Sequence, residues 1–189
     1  MQAVLGTTLV SLLAMACGRA GGPSATAPTT GPPTTATTGT TLRAPVPTVT
    51  TISPIAGVET FTVGDAGHQT GPLAYPRVPP VGGPHHPMWT PCAFYDRAVP
   101  NEMAVHSLEH GAIWVTYRPD LPRDQIDALA ALAQSQKDLL VSRWDDGLPS
   151  PLVATAWGRQ LKLTTTTDPR LVDFVRLYVR QSPEPLAPC

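Results

Sequence analysis

Residues 18–51 read GRAGGPSATAPTTGPPTTATTGTTLRAPVPTVTT, and almost nothing in that stretch can enter a hydrophobic core. Threonine and proline in this proportion favour an extended, solvated chain. The tract therefore confines any fold to about residues 52–189, close to the commonest domain size. It reads as a disordered stalk of the Ser/Thr/Pro kind that holds a domain away from a membrane or wall and can accept O-glycans.

Residues 1–17, MQAVLGTTLVSLLAMAC, read as an export segment. The apolar run from Val4 to Ala16 is too short, and too broken by polar residues, to span a bilayer. Its end, LLAMAC, resembles a bacterial lipoprotein signal, in which Cys17 becomes lipidated and forms the new N-terminus. It departs from that pattern in having no Lys or Arg ahead of the run and Met15 where a small residue is usual. The expectation is an exported protein on the outer surface of the cell membrane or in the envelope, anchored through lipid at Cys17. A plain cleaved signal peptide is the alternative.

With Cys17 set aside, Cys92 and Cys189 form an even pair, which in an oxidising compartment points to a disulfide. Closing a loop of about 100 residues contributes on the order of 4 kcal/mol. The competing reading makes Cys92 a metal-binding thiolate. Net charge is −1 and charged residues are only 14%, so no basic surface argues for nucleic acid.

Within 52–189 the patterning predicts a short strand near Val58–Val63 and then a long irregular segment, 75–96, full of proline and glycine. A helix of about nine residues follows from Pro100 and Asn101, with Asn101 able to cap it and Gly111 suited to the left-handed residue that ends it. AIWVTY (112–117) reads as a strand, and PDLPRDQIDALAALAQSQ as an amphipathic helix with Asp120 as candidate cap. A strand is expected at 138–144, and 152–158 with 159–163 supplies another one or two. A last helix starts at Asp168-Pro169, with Leu171, Val172, Val175, Tyr178 and Val179 inward. The order α-β-α-β-β-α gives the fold class: an α+β domain, small and two-layered, with helices packed on a mixed sheet.

All five histidines, His68, His85, His86, His106 and His110, fall between residues 68 and 110. In AVHSLEHGAIWV, His106 and His110 stand one helical turn apart, and such a pair binds a single ion in cis. His85 and His68 are the candidates to complete the coordination, whereas His86 reads as a loop residue. The same residues spell H-x-x-E-H, the inverted zinc-peptidase signature, in which Glu109 would be catalytic. That chemistry needs a third ligand, usually a glutamate on a second helix, and the only glutamate beyond His110 is Glu184 in the proline-rich tail.

The segments PPVGGPHHPMW, AFYDRAVP, VHSLEHGAIWVTYRPDLP and ATAWGRQLKL resemble a bacterial exported family catalogued as domain of unknown function 3105. The resemblance covers roughly residues 57–189. His85, His106, Glu109 and His110 match its pattern, and His68 matches less closely; Val81-Gly82 departs from it before Gly83-Pro84-His85. The resemblance implies a shared site in this loop and helix, and no particular activity.

The reading is thus a transition-metal protein with His85, His106, His110 and His68 as ligands, Glu109 orienting an imidazole, and copper or zinc as the ion. A metal-dependent hydrolase or redox enzyme using Glu109 is one alternative. A metal-free surface interaction module, with the histidines as internal hydrogen-bonding groups, is the other.

Overall fold

Strand β3 (Ile113–Tyr117) is buried along its whole length, and its alternation decides which side of the sheet each layer occupies. Ile113, Val115 and Tyr117 join the larger core, with Leu139 and Val141 from β4 (Leu139–Arg143). Trp114 joins Leu140 in a smaller core on the opposite face. A strand buried on both faces reads as a continuous apolar run, as this one does. The computed structural model describes residues 54–185 and Cys189, so residues 1–17, expected to direct export, with Cys17, and the tract 18–51 lie outside the described residues.

Among the described residues six strands, with β1 (Val58–Thr60), β2 (Phe94–Tyr95), β5 (Leu152–Ala156) and β6 (Arg159–Leu163) beside β3 and β4, form one mixed sheet in the order β1-β6-β5-β3-β4-β2. β3 and β4 run parallel, joined by α2 (Arg123–Ser135) as the crossover that parallel strands require. β5 pairs antiparallel with β3 and with β6. The β5–β6 hairpin turns at Trp157-Gly158, where Gly158 has φ +68° and an added Cβ would lie 2.9 Å from the Phe61 carbonyl oxygen. Glycine is the residue that fits both demands. β1 closes one edge against β6, and β2 pairs in parallel with β4 at the other. The two residues of β2 are ordered structure inside the segment 75–96, expected to be wholly irregular.

The α+β class is as the patterning predicts; from residue 100 onward the observed order is α-β-α-β-β-β-α, one strand more than expected, because 152–163 forms the two strands of a hairpin. To the sheet and its helices α2 and α3 (Pro169–Tyr178), the structure adds cover on the other face from α1 (Asn101–Glu109) and the loops before it. α3 is capped by Asp168, whose carboxylate accepts from Arg170 N–H at 3.0 Å, and Phe174 joins the expected inward residues as a fully buried side chain. The other two caps differ from expectation. α1 begins after Pro100 and α2 after Pro122, neither with a side-chain cap. Proline pre-sets the φ of a helix start, so Asn101 already lies inside α1, and Asp120 is left in the preceding turn, where Leu121 N–H donates to Arg118 O.

Cys92 and Cys189 form a disulfide with their Cα atoms 5.2 Å apart. Cys92 is therefore not a metal-binding thiolate.

Candidate metal centre

The nine residues of α1, with His110 as its C-cap, carry two unlike faces. Ala104 and Leu108 pack on Trp114 and Leu140 of the sheet, while His106, Glu109 and His110, at i, i+3 and i+4, share the outer face. All three are nonetheless buried, because the proline-rich loop lies along the helix. His86 N–H donates to Glu102 O at 3.2 Å and Thr90 N–H to Met103 O at 3.1 Å. The buried Ser107 hydroxyl donates to Thr90 O at 2.7 Å and accepts from Thr90 N–H at 3.1 Å. Backbone polar groups that this loop would otherwise bury unpaired are thus satisfied by α1.

The loop delivers His85 and His68 together. Gln69 N–H donates to His85 O at 2.7 Å and His85 N–H to Gly67 O at 3.2 Å, a parallel bridge that sets the two rings edge to face, 4.9 Å apart. The His106 ring stands 4.9 Å from each of them. One donor atom from each of His68, His85, His106 and Glu109 lies within 4.8 Å of the others. Tetrahedral donors about 2 Å from an ion stand roughly 3.3 Å apart. Side-chain adjustment must draw the group in, and His68, half exposed, has room to supply it.

Hydrogen bonding fixes the direction of the lone pairs. His85 Nδ1 lies 2.8 Å from Gly83 O, and His106 Nδ1 lies 2.7 Å from His86 O. A carbonyl oxygen can only accept, so both rings carry hydrogen on Nδ1 and turn Nε2 to the site. His85 Nε2 then faces Glu109 Oε2 at 2.9 Å, with both groups buried. An imidazole lone pair and a carboxylate oxygen repel at that distance unless a proton or a metal cation lies between them. A backbone carbonyl on the far nitrogen is also what metal-bound histidines commonly use to hold tautomer and orientation. Burial pushes His106 below the usual imidazole range, and the neighbouring imidazoles of His110, His85 and His68 act in the same direction against its bond to His86 O. These effects favour the neutral ring, the form in which an imidazole binds a metal.

His110 lies one step out. Its Nε2 is 2.9 Å from His106 Nε2 and 3.9 Å from Glu184 Oε2, and it is not one of the four converging donors. Glu109, expected chiefly to orient an imidazole, both faces His85 and offers one of the four converging donor atoms. His86 is a loop residue whose Nδ1 accepts from Met88 N–H at 3.0 Å. Sequence reasoning missed Trp89, whose half-exposed indole packs 5.8 Å from the His106 ring and 5.2 Å from His110. It also missed Trp157, edge-on to His85 at 6.2 Å, and set Glu184 aside. No spacing rule reaches these residues, because each meets the site through the fold.

These observations define a mixed α+β domain with a three-histidine, one-carboxylate cluster that could hold a metal, set between one helix and an irregular loop. The chain belongs to the family described as protein of unknown function (DUF3105), whose model matches residues 68–189, a span that opens on His68. No curated protein and no solved structure matches the chain.

Proposed function

We propose that this protein binds one transition-metal ion, zinc or copper, through His68, His85, His106 and Glu109. In this proposal it does so outside the cytoplasm, anchored by lipid at Cys17, and serves metal binding or delivery at the cell surface. The observation that carries the reading is the convergence of one donor atom each from His68, His85, His106 and Glu109 to within 4.8 Å of one another, with His85, His106 and Glu109 buried. A divalent cation there would draw on all four, and neutral imidazole with carboxylate suits zinc and copper alike.

Burial of His106 and its bond to a backbone carbonyl would equally serve a purely structural histidine. The convergence of its other nitrogen on three further donors favours the metal.

The test is elemental analysis of the protein secreted into an oxidising compartment and purified without a histidine tag. About one equivalent of zinc or copper is expected, lost in His85→Ala and in His106→Ala. Protein that stays metal-free after challenge with both ions would sink the reading. Anchoring is tested separately: lipid labelling and membrane fractionation should both be lost in Cys17→Ser.

A further inference from the structure

The donors near α1 do not end with the converging four. Glu184 Oε2 lies 3.9 Å from His110 Nε2, which lies 2.9 Å from His106 Nε2, a member of the inner group. Along this row exposure falls steeply: the Glu184 side chain is 60% exposed, that of His110 7%, and His85 is fully buried. We infer that His110 and Glu184, sharing His106 with the inner cluster, form an outer position through which a divalent transition ion exchanges with the inner one. The inference deepens, and rests on, the metal-binding reading above.

Three features carry it. First, the two ring nitrogens, hydrogen-bonded at 2.9 Å, need open only slightly to serve one ion once the shared proton leaves, since tetrahedral donors about 2 Å from an ion stand roughly 3.3 Å apart. His106 Nε2 can bond one ion at a time, so the two positions are alternatives. Occupying the inner one means exchanging His110 and Glu184 for His85, Glu109 and His68.

Second, Glu184 is held in place although its side chain is exposed. Its N–H donates to Glu109 O at 3.1 Å, and Arg180 N–H donates to Gly111 O at 2.8 Å. Gly111, at φ +93°, seats Arg180 so closely that an added Cβ would come within 2.7 Å of Arg180 Cα. Beyond Glu184 the tail is fastened by the Cys92–Cys189 disulfide.

Third, Trp89 walls the outer position against both imidazoles while remaining 38% exposed. The outer position therefore has a polar row of donors on one side and an aromatic face on the other.

The test measures zinc affinity at equilibrium by chelator competition, and zinc association and dissociation rates by stopped flow, in wild type and in Glu184→Gln. Glutamine keeps the size of the side chain and the backbone bond to Glu109, so folding is not at risk. Ligand exchange predicts that both rates fall by the same factor, about tenfold as for loss of a group that supports a metal site, while affinity stays nearly unchanged. Unaltered rates would overturn the outer position and leave admission past His68. A fall in association alone, abolished by salt, would reduce Glu184 to a steering charge and overturn it too. Loss of affinity by about a hundredfold would make Glu184 a ligand of the resident ion, again against the proposal. Wild-type protein that binds no zinc or copper would end the metal reading itself, and this inference with it.

Discussion

The disulfide is expected to be the largest single covalent contribution to this domain's stability. Cys92 and Cys189 are 97 residues apart, so the bond closes most of the folded chain into one loop. In the chain-entropy account, a loop of that length stabilises the native state by about 4.7 kcal/mol, through the freedom removed from the unfolded chain. The perturbation is the double variant Cys92→Ala/Cys189→Ala, which removes the bond without leaving a free thiol. Urea unfolding followed by tryptophan fluorescence would measure it. With an m-value of about 2 kcal/mol/M, the midpoint should fall by roughly 2 M. The m-value should rise as well, because an unfolded chain freed of its crosslink exposes more surface. A midpoint shift below about 0.5 M with unchanged m would refute the reasoning, and would mean that the tail's non-covalent contacts already hold it.

Ser107→Ala should cost about 1–3 kcal/mol, because Thr90 O loses its 2.7 Å donor inside a buried contact. Thermal or urea unfolding would show this, and metal affinity should drop with it, since the same contact holds the His85 loop on α1. Gly111→Ala should destabilise by about 1–2 kcal/mol from the left-handed conformation alone, and by more because Arg180 must move; a stability loss smaller than that would contradict the tail's seat on α1. Asp168→Ala should cost about 1 kcal/mol at neutral pH. The Arg170 guanidinium, and after it the Arg170 N–H, hold the Asp168 carboxyl below its ordinary value. Its contribution is therefore present above the ordinary carboxylate range and lost as pH falls through the depressed value, so wild type and variant should converge in acid. Binding of Cu²⁺ should quench tryptophan emission, because Trp89 and Trp157 pack on the site's imidazoles, and Trp89→Phe should remove part of that signal.

Local signals in the chain were enough for the elements. The periodicity of 169–179, the apolar run 112–117 and the glycine after His110 are short-range facts, and short-range chemistry sets helix starts, strands and stops. The two misplaced caps are also local, since proline at a helix start competes with any capping side chain nearby. Which histidines could share an ion was legible only in part. The i,i+4 spacing brings His106 and His110 together, but it says nothing of which side the loop will approach.

By itself the sequence determined an α+β domain after a tract unfit for a core, a helix with two imidazoles and a carboxylate on one face, and a pair of cysteines available to each other. Only the tertiary structure decided that Glu109 stands among the donors with His68 and His85, that His110 lies a step outward, and that Glu184 reaches it from the tail. The physical reason is sequence separation. His85 meets Glu109 across 24 residues and Glu184 meets His110 across 74. Contacts of that span are set by how a loop satisfies its backbone along α1 and where a disulfide fastens the chain, which no local pattern encodes.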